Sequence, residues 1–374
     1  MKADGPIRVL IVDDSAAIRR LLRSLLETAP GYSVVGTAAN GRAALDQIAT
    51  LAPDVITLDI EMPILDGIGC LKELRTRWPN LPVIMLSTLT ERGAASTLDA
   101  LAAGASDYLT KPTNFADANL AVEAIRSQLV SKIDGLVSRT RRPTAVAAAL
   151  PINASAMARP LKAVPSGRGP SVADIVAIGV STGGPTALAK LLSSLAKDFP
   201  VPMVIAQHIP PLFSRLLAER LNASVAMTVK EAEDGEELRP GVAYIGPGDL
   251  HITVAGNLTR RHIVLNRNAP ENSCRPAVDV LFRSVAQIYG STALGVVLTG
   301  MGQDGLLGAQ VLRAAGASIV VQDEATSVVW GMPSFVARAG LGDEVLALEQ
   351  IGPTLAARTR RGAGAGPVPR AARA

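Results

Sequence analysis

The sequence predicts an α/β protein made of two open, doubly wound parallel sheets. Three observations carry this reading. Short Val/Ile/Leu runs alternate with longer amphipathic stretches over residues 6–132 and again over 171–354, the rhythm of successive βα units. Polar residues stand just past several of these runs, where open parallel sheets bind ligands. A stretch rich in Pro, Ala, Ser and Arg, 133–170, separates the two regions and has the composition of a semi-flexible linker.

Bulk properties agree. A chain of 374 residues has room for two domains of roughly 100–200 residues each. Aromatics make up only 3% against 48% hydrophobic residues overall, so the cores must be built from Val, Leu, Ile and Ala. The formal charge is +4, with basic residues gathered around Arg139–Arg142 and in the Gly-, Ala-, Arg- and Pro-rich segment 355–374, read as a disordered basic tail. No basic stripe interleaved with aromatics occurs, so no nucleic-acid partner is expected. The two cysteines, Cys70 and Cys274, fall one in each half, which fits a reducing compartment rather than a structural disulfide. The N-terminus lacks a signal-peptide pattern and no run reaches membrane-spanning length. A cytoplasmic protein with no direct membrane insertion is expected.

In the first region the strands fall at Ile7–Val12, Tyr32–Ala38, Val55–Leu58, Pro82–Leu86 and Ser106–Leu109. Helices are predicted at Ala16–Thr28, Arg42–Leu51, Gly67–Arg77, Glu91–Ala103 and Ala116–Lys132. Asp13 and Asp14 follow the first strand, Asp59 the third, Ser87 the fourth and Lys111 the fifth. Carboxylates on adjacent strand ends can share Mg²⁺, a hard cation that retains water and phosphate oxygens. Asp59 could then serve as a carboxylate nucleophile toward a phosphoryl group. One strand-end Asp is usually a cap or turn former; five such groups in register argue for a phosphate site. The Lys111-Pro112 step is a candidate cis bond.

In the second region Ser181, His208 and Asp304 each follow an apolar run: Asp174–Val180, Val201–Gln207 and Ala293–Gly300. A hydroxyl, an imidazole and a carboxylate on one sheet rim are the groups that nucleophilic acyl chemistry requires. The segment Gly179-Val180-Ser181-Thr182-Gly183 satisfies G-x-S-x-G, yet the order Ser, His, Asp is not that of an α/β-hydrolase. It is equally a Gly-rich phosphate loop by composition, without the spacing of either nucleotide motif. His251 and His262 read as structural. Asp234 and Asp249 sit in turn contexts, and Asp279 reads as an ion-pair partner on a helix. A probable hairpin region, Val242–Leu265, breaks the βα rhythm.

Residues 6–130 resemble the response-regulator receiver domain, on the acidic pair, Asp59 before Glu61-Met62-Pro63, Asp66-Gly67, Ser87 and Lys111-Pro112. The resemblance implies a five-stranded flavodoxin-like domain. It makes Asp59 the phosphoacceptor, Asp13, Asp14 and Asp59 the Mg²⁺ site, and Ser87, Lys111 and Tyr108 the switch residues. Residues 172–350 resemble the chemotaxis-receptor methylesterases (CheB-type), on Ser181-Thr182-Gly183-Gly184, Gln207-His208-Ile209-Pro210, Tyr244–His251, Arg275-Pro276, Leu298–Gly302, Asp304-Gly305 and Gly331-Met332-Pro333.

That second resemblance implies a Rossmann-like domain that needs no cofactor of its own. Its triad is Ser181, His208 and Asp304; Thr182, Gly183 and Met301 form the oxyanion and substrate turn. The substrates implied are methyl-accepting chemotaxis receptors, with methyl-ester hydrolysis and glutamine deamidation as the reactions and a chemotaxis histidine kinase as phosphodonor. Two departures stand out: Ala277 replaces a small hydroxyl residue and Trp330 a tyrosine. A phosphorylation-controlled adaptor that holds a phosphate ligand is the alternative; it predicts no hydrogen bond between Ser181 and His208.

Overall fold

The computed structural model describes residues 5–111, 118–141, 172–257 and 260–359. The first region is a five-stranded parallel sheet ordered β2-β1-β3-β4-β5. Its strands are β1 (Ile7–Val12), β2 (Tyr32–Ala38), β3 (Val55–Asp59), β4 (Val83–Ser87) and β5 (Asp107–Thr110). Helices α1 (Ala16–Glu27), α2 (Gly41–Leu51), α3 (Gly67–Arg77), α4 (Glu91–Ala102) and α5 (Ala118–Arg141) alternate with them. The turns supply their own caps: Ser15, Asn40, Asp66 and Thr90 each accept a first-turn backbone N–H. Helix α5 runs past the expected end at Lys132, because Leu129, Ile133, Leu136 and Val137 continue a buried face.

The second region is a seven-stranded sheet ordered β14-β13-β12-β6-β7-β9-β8, and every pair among its described strands is parallel. Its strands are β6 (Ile175–Val180), β7 (Met203–Gln207), β8 (Thr228–Glu231), β9 (Val242–Ile245), β12 (Ala293–Val297), β13 (Ser318–Gln322) and β14 (Glu344–Leu346). Helices α6 (Gly184–Ser193), α7 (Pro211–Ser224), α8 (Val278–Tyr289), α9 (Leu306–Ala314), α10 (Met332–Arg338) and α11 (Leu348–Thr359) complete it. Strands β10 (His251–Gly256) and β11 (Arg261–Asn266) form a separate antiparallel hairpin.

Two expectations change here. Val242–Ile245, grouped with the hairpin by sequence, is a parallel strand of the main sheet beside β7. The segment expected to be disordered from Leu355 is helical to Thr359, since Leu348, Ile351, Leu355 and Thr359 form one buried stripe.

Chain order fixes where a cleft can open. From β6 the chain adds β7, β8 and β9 on one side, then crosses to β12, β13 and β14 on the other. The reversal between β6 and β12 is a topological switch point, and the crevice beyond such strand ends is the ligand site of open α/β sheets. Helices α4 and α5 and strand β5 of the first region lie against α6, α7 and the rim loops of the second. No described helix is long and apolar enough to cross a membrane.

Candidate active site

Strand register brings the rim together. Val180 pairs with Gln207 and Gly179 with Val297, so the chain emerges at Ser181, His208 and Leu298 from three neighbouring strands. Backbone bonds lock the exits: His208 N donates to Val180 O at 3.1 Å, and Ser181 N to Thr299 O at 3.0 Å. Gln207 Nε2 spans the first two, donating to Ser181 O at 3.1 Å and to His208 O at 3.0 Å. A Cβ on Gly300 would stand 2.9 Å from Ser181 Cβ and 2.4 Å from Met332 Sδ. Only glycine lets that loop lie against the serine. Gly183 takes φ +77 at the start of α6, a left-handed conformation that suits glycine.

The His208–Asp304 pair is formed. His208 Nε2 lies 2.8 Å from Asp304 Oδ2. Asp304 is 2% exposed and accepts four further N–H groups: Val278 N (2.7 Å), Asp279 N (3.0 Å), Gly305 N (2.9 Å) and Asn272 Nδ2 (3.0 Å). Val278 and Asp279 open α8, whose preceding residue, Ala277, offers no side-chain cap. Asp304 therefore caps α8 from across the domain, a carboxylate at a positive helix end. Burial alone would push this carboxyl up; the His208 bond and charge, with the backbone donors, hold it below the usual range. For His208, burial favours the neutral ring, but Asp304 and then Cys274 outweigh it and raise the pKa to about 10.

The second ring nitrogen is where structure and expectation part. Cys274 Sγ lies 3.5 Å from His208 Nδ1. Among the described residues no hydrogen bond joins Ser181 Oγ to the imidazole. Both nitrogens are engaged, one by Asp304 and one by Cys274. This absence is what the adaptor alternative predicts; it does not by itself decide against the triad, because apo geometry at such sites is commonly loose and tightens with substrate.

Of the other acidic and histidine residues, His251, Asp234 and Asp249 sit as their contexts predict, and Asp279 does not. His251 is buried, with Nε2 on Ala269 O and Nδ1 accepting Ala277 N. Asp234 Oδ1 accepts Leu265 N. Asp249, at φ +61, pairs with Arg275 and Arg267. Asp279 is not an ion-pair partner: it is buried, accepting Gly308 N at 2.6 Å and Asn272 Nδ2 at 3.0 Å, while Arg283 pairs with Glu271. Trp330 donates Nε1–H to Gln322 O at 3.2 Å and carries Arg338 over its ring.

The first sheet carries its own rim. Oxygen atoms of Asp13, Asp14 and Asp59 lie within 4.8 Å of one another. Three carboxylates with one exposed member form an all-oxygen donor set that fits Mg²⁺ and leaves room for water and a phosphate oxygen. Lys111 Nζ stands 2.8 Å from both Asp13 Oδ2 and Asp59 Oδ2. Burial pushes the Asp59 carboxyl up to about 6, against the opposing pull of Lys111. Ser87 Oγ accepts Thr97 Oγ1–H at 2.6 Å and reaches Gly93 O at 3.2 Å, tying β4 to α4. The Lys111-Pro112 step lies outside the described residues.

The two rims meet through β5. Thr182 Oγ1 donates to Asp107 Oδ2 at 2.8 Å in a buried contact, and Lys132 Nζ reaches the same oxygen at 2.5 Å. Next along the strand, Tyr108 stacks on Phe213 of α7, with centroids 4.9 Å apart and planes 8° from parallel. Above them, a Cβ on Gly135 of α5 would stand 3.4 Å from Met301 Sδ. Thr182 and Met301, both expected at the substrate turn, therefore lie under the first domain. Arg215–Glu91 and Arg220–Asp99 pair at the margin, where exposed ion pairs add little to stability. Sequence reasoning missed Asp107, Asn272 and Cys274. Cys274 did precede the Arg275-Pro276 motif; for the other two no local signal existed.

Fold and rims together define a two-module regulatory protein: a receiver with an acidic phosphate pocket, and an α/β domain with a hydroxyl, imidazole and carboxylate on one crevice. A family model described as CheB methylesterase matches residues 176–355, and one described as response regulator receiver domain matches residues 9–123. The chain is 48% identical, over 95% of its length and 96% of the relative's, to a protein-glutamate methylesterase/protein-glutamine glutaminase of a Nocardioides species. To the second such protein of Caulobacter vibrioides it is 45% identical, over 95% of this chain and 99% of that one. Among solved structures, the CheB methylesterase catalytic domain of Thermotoga maritima is 43% identical, covering 50% of this chain and 98% of that one, with a TM-score of 0.49. The chain belongs to the protein-glutamate methylesterase/protein-glutamine glutaminase family.

The raised pKa of His208 gives a measurable sign. Its protonated form is favoured up to about pH 10, whereas a free imidazole loses its proton near 6.5. Imidazole ¹⁵N NMR of the unphosphorylated protein at pH 8 is expected to show His208 still charged; a neutral ring at pH 8 contradicts the geometry.

Proposed function

We propose that this chain is a phosphorylation-controlled hydrolase that removes methyl esters from glutamate side chains of methyl-accepting chemotaxis receptors and deamidates receptor glutamines. The observation that carries the reading is the His208–Asp304 pair, bonded at 2.8 Å, with His208 on the strand exit next to the one that carries Ser181 at the switch point of one parallel sheet. It acts in the cytoplasm, where the receptor helices that carry these groups lie.

The mechanism follows from the geometry. Asp304 holds Nε2–H, so Nδ1 is the nitrogen left to serve as base. His208 Nδ1 takes the Ser181 proton as Oγ attacks the ester carbonyl. The charge moves to the carbonyl oxygen, stabilised by backbone N–H groups around Thr182, Gly183 and Met301; one such donor is typically worth ~10²–10³ in rate. Collapse expels methoxide, which the imidazolium protonates to methanol. Water then attacks the acyl-enzyme with His208 again as base, releasing glutamate and Ser181. A primary amide follows the same course and loses ammonia. For His208 to act as base it must first shed the proton that Asp304 and Cys274 stabilise.

Control comes from the receiver. Asp13, Asp14 and Asp59 would hold Mg²⁺, which when bound would supply charge neutralisation between carboxylate and phosphate. A histidine kinase supplies the phosphoryl group from its phosphohistidine: the Asp59 carboxylate attacks phosphorus, the P–N bond breaks and the kinase imidazole leaves, so that an acyl phosphate forms on Asp59. Lys111 lies against Asp59 Oδ2 and stands just past β5, the strand that begins with Asp107 and Tyr108. Docked as described, the receiver covers Thr182 and Met301. Phosphorylation is proposed to loosen that docking.

Two measurements test the reading. Ser181→Ala should abolish methanol release from methyl-labelled receptor, a loss of at least about 10³-fold, with the fold intact by circular dichroism; wild-type rates would refute the nucleophile. Tyr108→Ala removes the Phe213 stack, a loss of about 1–2 kcal/mol of docking energy. It should raise unphosphorylated activity about 5–30-fold. If basal activity stays at the wild-type level, the covered-cleft account fails.

A further inference from the structure

The turn between β11 and α8 touches both members of the His208–Asp304 pair. Asn272 Nδ2 donates to Asp304 Oδ1 and to Asp279 Oδ2, each at 3.0 Å. Two residues on, Cys274 Sγ lies 3.5 Å from His208 Nδ1. Reciprocal backbone bonds between Glu271 and Cys274 close the turn, at 3.2 and 2.8 Å, and Arg283 on α8 anchors Glu271.

Resting on the Ser181–His208–Asp304 reading, we propose that the turn Glu271–Cys274 is a positioning element of the esterase. Asn272 fixes the Asp304 carboxylate. Cys274 occupies the one imidazole nitrogen that Ser181 can use, and so holds His208 out of action until the turn moves.

The chemistry of each contact suits this division. Asp279 and Asp304 are both buried, and an amide donating to both offsets their repulsion. Burial and then the Asp304 charge push the Asp279 carboxyl up, while Asp304 stays low. On the other side, a thiol is a weak hydrogen-bonding group, so its hold on Nδ1 is easily broken by a better partner. The titratable groups that face the ring are Asp304 and Cys274, with Asp279 behind Asn272. Arg275 beside Cys274 is committed to Asp249, at 3.0 and 2.5 Å.

The test is methanol release from methyl-labelled receptor across pH, for full-length wild type, Cys274→Ala, Cys274→Ser and Asn272→Ala. Freed of the thiol, His208 should lose its proton more readily. In Cys274→Ala the acid limb of kcat/KM is expected to move down by about one pH unit, the scale of one partner lost to a charged group. Unphosphorylated activity at pH 7 should rise up to about tenfold. Cys274→Ser, which keeps a polar atom at Nδ1, should fall between wild type and Cys274→Ala. Asn272→Ala should lower kcat about tenfold with KM within about twofold. A Cys274→Ala acid limb that stays in place, whatever the rate, overturns the proposal. Ser181→Ala run alongside separates the two readings. If it is inactive while Cys274→Ala keeps the wild-type profile, only the turn proposal fails; if it keeps its activity, the nucleophile reading fails first.

Discussion

The buried carboxylate of Asp304 is the group on which the second domain's rim depends. It accepts N–H groups from β7's exit residue His208, from the first turn of α8, from its own loop and from the 271–274 turn. A charge this far from water is costly unless every lone pair is used. Here the helix end and the imidazole use them, and the same bonds fix the ring's orientation. The structural role and the chemical one are therefore not separable. The residue that caps α8 is also the residue that decides which imidazole nitrogen is left free of the carboxylate.

A second buried carboxylate links the two sheets. Asp107 sits on β5, four residues before the Lys111 that contacts Asp59, and it accepts the hydroxyl of Thr182 next to Ser181. One short strand therefore runs from the phosphate pocket to the serine turn. Tyr108 adds apolar adhesion to Phe213, while the exposed ion pairs add orientation more than energy. Around this polar contact, apolar residues of the two domains pack together: Leu98 and Leu101 of α4 with Leu217 and Leu221 of α7, and Leu136 and Val137 of α5 with Val329 and Met301.

Much of this was legible beforehand, for a physical reason. A parallel sheet covered on both faces demands unbroken apolar runs, and β3, β4, β6, β7 and β12 are buried along their whole length. Residues just beyond such runs stand on the rim, so Asp59, Ser181 and His208 could be placed from spacing alone. Val242–Ile245 was misplaced because a four-residue strand next to a hairpin carries no partner information. The end of α5 was hidden by Arg and Thr residues whose composition resembled a linker. Asn272, Cys274 and Asp107 act through contacts made across the fold, which no local pattern encodes. The Ser181–His208 bond expected from the triad is absent among the described residues, where the thiol of Cys274 stands on the remaining nitrogen.

The central claim is that Ser181, not the neighbouring thiol, attacks the substrate. Acid quenching during turnover of methyl-labelled receptor, followed by mass mapping of the proteolysed enzyme, reads this directly. The account predicts an acyl adduct, already free of the methyl label, on the peptide that contains Ser181. An adduct on the peptide that contains Cys274, or hydrolysis with no adduct on either, would contradict it.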